Sequence, residues 1–252
     1  MLPSIEAIAN GVSATAIIIT GYVIGIQLLL ETRRTKSKLL GWQSLFAFSL
    51  GSFYLGTSVS FWMLVFVDHN IQPLELGAIL CYTVAPVGIA TVMYIGFSMI
   101  KPRLARPVSI IYALTAIPFW INLWFDIPSL SKEVVLTGPA ELIDIELLSW
   151  ANILTALYIL SMILVLGTGF LILAKQTTGQ IRKRAVYYAI GIIMFSIGGI
   201  IDSRLPLGIW MVVVRLFMVL AYLVLYKAMI PPKASFPPVP IETLAREETP
   251  KK

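Results

Sequence analysis

The stretch AVYYAIGIIMFSIGGIID (185–202), SRLP (203–206) and LGIWMVVVRLFMVLAYLVLYKAMI (207–230) decides how the rest of the chain is read. Each apolar run is about as long as a bilayer core requires, roughly 20 residues at 1.5 Å rise each. Neither run shows the short alternating segments of a barrel strand, so both read as helices, which satisfy their own backbone in lipid. Moving outward from this pair, five more runs of the same kind occupy 9–30, 40–66, 74–100, 108–126 and 148–174. The seven runs take up about two thirds of the 252 residues. Composition agrees: 58% of residues are hydrophobic and 13% charged, and the mean hydropathy of +0.87 lies far outside the soluble range. The expected fold is an all-α integral membrane protein, a seven-helix bundle over 1–230. The proline- and charge-rich segment 231–252, without apolar periodicity, reads as a disordered tail.

Charge orients the bundle. The connections at 31–38, 101–107 and 175–184, together with the C-terminal end, hold 16 of the 19 basic residues. The opposite side carries Lys132 and Arg204 with nine acids, among them Glu6, Asp68, Glu75 and Asp202. The positive-inside rule then places the N-terminus outside and the C-terminus in the cytoplasm of a cell-membrane protein. The net charge of +6 is thereby explained by orientation and anionic headgroups, with no nucleic-acid partner implied. The N-terminus lacks a positive leader region, so the first run reads as a retained helix. Trp120, Trp124, Trp150 and Trp210 fall near the outer interface and Trp42 near the inner one.

Packing devices are visible in the runs. Gly21 and Gly25 form GxxxG, Ser52 and Gly56 form a small-xxx-small pair, and Gly191, Ser196, Gly198 and Gly199 give the sixth run a thin face. Close packing within one bundle is the expected use, with self-association left open. Pro86 and Pro118 lie inside the third and fourth runs, where each frees a carbonyl and can kink its helix. Arg106-Pro107 reads as the first turn of the fourth run. The outer segment 127–147, with Gly138-Pro139 between two apolar stretches, is either a small hairpin over the outer mouth or a plain connector.

Several membrane chemistries are excluded by residues the runs lack. The seventh run has lysine only at Lys227, near its cytoplasmic end, so no retinal Schiff base is expected. His69 is the only histidine and Cys81 the only cysteine, which leaves no bis-histidine haem, no disulfide within the chain and no ligand cluster for a metal. The third run ends Met99-Ile100-Lys101-Pro102-Arg103, without the acidic-Arg-Tyr signature of receptors coupled to G proteins. No cofactor and no catalytic constellation are expected.

Arg215 remains. It lies about nine residues into the seventh run, where an arginine costs at least ~2.5–3.5 kcal/mol unless it faces the interior or water. It therefore points inward, either to a ligand anion or to an internal hydrogen-bond hub. Tyr82, Asn152, Tyr158, Ser58, Ser60 and carbonyls freed near Pro86 are the expected acceptors. Glu75 and Tyr82 are seven residues apart, hence on one helix face, with Glu75 at the solvated outer edge. Asn122 and Asn152 lie near the outer ends of their helices, where they line the same cavity or bond neighbouring helices. Asp202 and Arg204 flank the shortest outer link as a surface ion pair of little energetic value.

Four features together resemble the N-terminal seven-helix sensor module of histidine kinases. They are Leu74-Glu75-Leu76 with Tyr82 and Ala85-Pro86 in the third run, Gly138-Pro139 before the fifth, Gln180-Ile-Arg-Lys-Arg184 at the start of the sixth, and Asp202-Ser-Arg-Leu-Pro-Leu-Gly208 before the seventh. The resemblance spans about residues 8–230. It implies a non-catalytic sensor with a small or lipid-like ligand in its outer half, read by Arg215, Tyr82, Glu75, Asn152 and Asn122. The family's usual output domain has no counterpart after residue 230, so a sensor of this kind would signal to a separate protein, at the basic cytoplasmic face or within the membrane. An accessory subunit of a larger respiratory or transport complex is the alternative.

Overall fold

A computed structural model of the chain describes residues 3–73, 75–125, 142, 149–205 and 208–230. The tail 231–252 and the outer segment 127–147, apart from Leu142, lie outside the described residues. The elements are α1 (Ile5–Thr35), α2 (Lys38–Ser52), α3 (Leu55–Val67), α4 (Glu75–Tyr82), α5 (Ala85–Ile100), α6 (Pro102–Leu114), α7 (Ala116–Phe125), α8 (Ser149–Ser161), a π-helical segment (Met162–Gly167), α9 (Thr168–Gln176), α10 (Gly179–Asp202) and α11 (Ile209–Met229). Six stretches are long and apolar enough to cross a membrane, and α2 with α3 makes a further one when this pair, bent by 47°, is taken together. The protein is thus a multi-pass membrane bundle.

The helices overrun the apolar stretches. Arg33 and Arg34 sit on the last turn of α1, where cations complement the negative end of the helix. Only Lys36 and Ser37 connect α1 to α2, with Lys36 left-handed at φ 57° and its N–H donating to the Thr32 carbonyl. Arg103 and Arg106 ride on α6, and Arg182, Lys183 and Arg184 on α10, so these basic residues extend the helices beyond their apolar stretches. The fourth span accordingly starts at Pro102, and Pro107 is interior to α6, a correction to the expected start at Arg106-Pro107.

The breaks have local causes. α4 gives way to α5 at Thr83 and Val84, just before Pro86, and α6 to α7 at Thr115, just before Pro118. Both follow from the missing proline N–H and the ring's clash with the preceding turn. Trp120 Nε1 donates to the Thr83 carbonyl at 2.8 Å, satisfying the backbone at the first break. The bend between α2 and α3 has no proline. It falls at Phe53 and Tyr54, directly after Gly51-Ser52, a pair of the kind that weakens a helix locally.

The bundle closes as a ring: α1 packs on α2, α2 on α5, α5 on α6 and also on the π-helical segment and α9, α9 on α10, α10 on α11, and α11 back on α1. Small residues set the close approaches. A Cβ on Gly21 would lie 2.9 Å from the Gly51 Cα and 3.0 Å from the Ala47 carbonyl oxygen. Gly191 faces Leu225 and Gly198 faces Met218 at similar range, so these two glycines of the thin face of α10 are spent on α11. Leu142 is buried in a small cluster with Ala7, Phe61 and Leu64.

Substituting Gly21→Leu should lower stability by about 1–3 kcal/mol through overpacking against rigid backbone. Gly199→Ala, where a Cβ meets nothing within 4 Å, should leave the thermal midpoint unchanged or slightly higher. Thermal unfolding of both variants in the same detergent checks the contrast.

Candidate functional site

Arg215 is the seventh residue of α11, about 9 Å along the helix from its start. It lies on a buried stripe with Met211, Met218, Tyr222 and Leu225, and its side chain is 1% exposed. Asp202 is the last residue of α10. Side chains lean toward the N-terminus of their own helix. In this antiparallel pair Arg215 therefore leans outward and Asp202 leans into the bundle. They meet at 3.1 Å, Arg215 Nε donating to Asp202 Oδ1, with the Asp202 side chain 14% exposed.

Two further segments complete the cluster. Arg215 Nη1 donates to the Asn10 carbonyl of α1 at 3.0 Å. Tyr54, in the bend between α2 and α3, donates its hydroxyl to Asp202 Oδ2 at 2.9 Å and also approaches the Met218 sulfur at 3.2 Å. Its ring lies under the guanidinium, with Arg215 Cζ 5.3 Å from the centroid, a cation–π contact strengthened by the burial of both groups. One arginine thus connects α1, the α2–α3 bend, α10 and α11. Asn10 is fully buried. Its amide nitrogen donates to the Glu6 carbonyl at 2.8 Å, while Oδ1 has no partner among the described residues.

Several expectations are corrected here. Asp202 pairs with the buried Arg215, while Arg204 is exposed, so the surface pair expected across the outer link is replaced by an interior one. Ser58 pairs with Thr15 at 2.8 Å, Ser60 donates to Asn70 Oδ1 at 2.8 Å, and Tyr158 pairs with Thr115 at 2.7 Å. The Thr83 carbonyl near Pro86 is taken by Trp120. Asn152 is exposed on α8, not turned into the bundle. Asn122 accepts the Ala151 N–H at 3.2 Å and so ties α7 to the first turn of α8.

Tyr82 does come close. It ends α4 and sets its ring edge-on to Phe53, the residue before Tyr54, at 6.4 Å. Glu75 starts α4, half-buried, roughly 10 Å farther out along the same helix. Asp202, Tyr54 and Asn10 are the cluster members that sequence reasoning missed. The signal for Asp202 was present: a six-residue link between antiparallel helices sets position 202 near the level of 209, and an arginine six residues later reaches that far.

Chemically the cluster is a neutral pair held by oriented donors. No group of three or more His, Cys, Asp or Glu able to hold a metal occurs among the described residues. The cluster can exchange partners: an anion competes for Arg215, a cation for Asp202.

Removing one partner strands the other in a low-dielectric interior. Arg215→Met and Asp202→Leu should each destabilise by about 3–5 kcal/mol, while the double variant recovers at least half of the summed loss. A double-mutant cycle on unfolding in mixed micelles checks this. No protein-family model matches this chain, and comparison with curated proteins finds no match, so the meaning of the cluster rests on its geometry.

Proposed function

We propose that this protein is a non-catalytic receptor of the cell membrane, with seven spans, its N-terminus outside and its C-terminus in the cytoplasm. A small charged ligand enters from the outer end and competes for the Arg215–Asp202 pair. The observation that carries this reading is the pair itself, a buried arginine whose carboxylate partner keeps 14% of its side chain exposed at the outer end of α10. A ligand that takes over either charge alters contacts to α1, the α2–α3 bend, α10 and α11 together. It shifts the bundle only to the extent that it prefers one arrangement over another. The breaks at Phe53-Tyr54 and Thr83-Val84 lie beside this cluster and supply the hinges. A separate protein reads the change at the basic end, by contact in the cytoplasm or within the membrane.

The accessory-subunit reading is favoured by a different observation. The span Pro102–Phe125 buries only 17% of its most apolar window within the bundle, against 56% for Glu75–Ile100, which leaves α6 and α7 a broad face for partner spans.

Thermal unfolding in nanodiscs against a panel of amino acids, organic acids and polyamines tests the receptor. A ligand at a hundred times its dissociation constant contributes about 2.7 kcal/mol, a rise on the order of 5–10 °C. The rise should disappear in Asp202→Asn. Stoichiometric recovery of an enzyme complex in mild detergent, with no compound raising the midpoint, would favour the subunit instead. For orientation, cysteines placed singly at Ser4 and Lys252 in a Cys81→Ser background should react with an impermeant maleimide from outside at residue 4 and only after lysis at residue 252.

A further inference from the structure

The basic end of the bundle holds a cavity of about 180 Å³ lined by Thr35, Ser37, Leu39, Leu40, Gln43 and Arg184. Three independent features converge on it. The first is the N-terminus of α2, a helix of 15 residues whose N-cap Ser37 makes no side-chain cap bond. The opening N–H groups of α2 therefore lack the usual capping acceptor and present the positive end of the helix. The second is Arg184 of α10. Its Nε donates to the Ala228 carbonyl at 2.8 Å and its Nη2 to the Met229 carbonyl at 3.2 Å. Those bonds hold the guanidinium in place and use two of its five N–H groups, leaving three without a partner among the described residues.

The third feature is Gln43, only 1% exposed, whose amide bonds the Tyr188 hydroxyl on one side while its other polar atom, Oε1, has no partner among the described residues. Tyr188 is itself fixed by stacking on Phe170, with centroids 4.8 Å apart and planes 11° from parallel. The two ends of an amide have nearly the same shape. Turned over, Gln43 accepts from Tyr188 and its NH₂ becomes the unpartnered end of a side chain that lines the cavity. A buried amide with a free polar end, a preset guanidinium and a helix N-terminus suit an anion with several oxygens.

We propose that this cavity is a binding site for a phosphoryl group, contacted by the Arg184 guanidinium, the Ser37 hydroxyl, the first N–H groups of α2 and the Gln43 amide. A phosphoryl group suits this lining better than a carboxylate, because it brings more acceptor oxygens to several donors. Leu39 and Leu40 add apolar side chains to the lining. The group comes either from an anionic lipid, whose headgroup lies at this level of the bilayer, or from free phosphate. The site is separate from the Arg215 cluster and does not depend on the receptor reading.

The test uses the full-length protein in nanodiscs of equal phosphatidylglycerol and phosphatidylcholine, with retained lipid counted by native mass spectrometry. One phosphatidylglycerol should stay bound selectively, and Arg184→Gln should reduce its retention by about 10-fold. Arg33→Gln removes the same charge outside the cavity and should change it little. Because Arg184→Gln also releases the end of α11, Gln43→Leu provides a second variant that keeps those carbonyl bonds, with an expected loss of about 3-fold. In a parallel arm, inorganic phosphate is titrated against chloride at equal ionic strength while the thermal midpoint is followed. Selective lipid retention that phosphate does not displace identifies the headgroup. A saturable rise with phosphate, lost in both cavity variants, identifies a soluble phosphate. The proposal is overturned if neither binds selectively, if Arg33→Gln loses as much as Arg184→Gln, or if Gln43→Leu and Arg184→Gln both bind like the unaltered protein.

Discussion

A buried guanidinium in a membrane bundle needs a counter-charge close at hand, and four segments of this bundle are arranged around that need. Arg215 is 1% exposed and pairs with Asp202 at 3.1 Å. At least ~2.5–3.5 kcal/mol would otherwise oppose its insertion. The pair forms because the short link after α10 brings an acid at the end of one helix to an arginine within the next, and because side chains lean along their own helices toward each other. Tyr54 and the Asn10 carbonyl take up further donors and acceptors, so the ion pair arrives nearly solvated by protein.

The hairpin of α10 and α11 is held by an arginine at each end, in two different ways. At the outer end Arg215 of α11 reaches back to the final residue of α10. At the basic end Arg184 of α10 reaches across to the last carbonyls of α11, which no longer have partners within their own helix. Between the two, Gly191 and Gly198 bring the helices close enough for both arginines to span the gap. The other half of the ring uses different means. Spans three to five rely on aromatic contacts, on a tryptophan that satisfies a carbonyl at a proline break, and on Asn122 holding the first turn of α8.

Features with a local cause were legible from residue type. Pro86 and Pro118 marked two breaks, and the GxxxG of α1 is used for packing inside the bundle, where Gly21 lies against Gly51. Ser52 was readable with Gly56 as a packing pair but not with Gly51 as a hinge, because small residues serve both purposes and only the neighbouring helices decide between them. Asp202 was read with its neighbour Arg204 because the two are close in sequence. The distinction lies in where the helix ends: Asp202, on the last turn of α10, meets Arg215 of α11, whereas Arg204, in the turn beyond, is exposed. Asn152 shows the reverse case, a polar residue at a plausible depth whose phase turns it outward.

Hydrophobic run length by itself determined that this is a helical membrane protein, since lipid leaves the backbone no partner but its own chain. Proline positions determined two of its breaks, and the scarcity of ionisable groups within the runs determined that one arginine would need explaining. The tertiary structure alone decided which acid neutralises that arginine, that a bend without proline delivers Tyr54 beneath it, and that Gln43 and Arg184, 141 positions apart, share one cavity at the basic end. The physical reason is that burial and backbone satisfaction are read along one helix. The partners of a buried charge depend on how helices are rotated and spaced against one another, and small steric differences at glycine contacts set that arrangement.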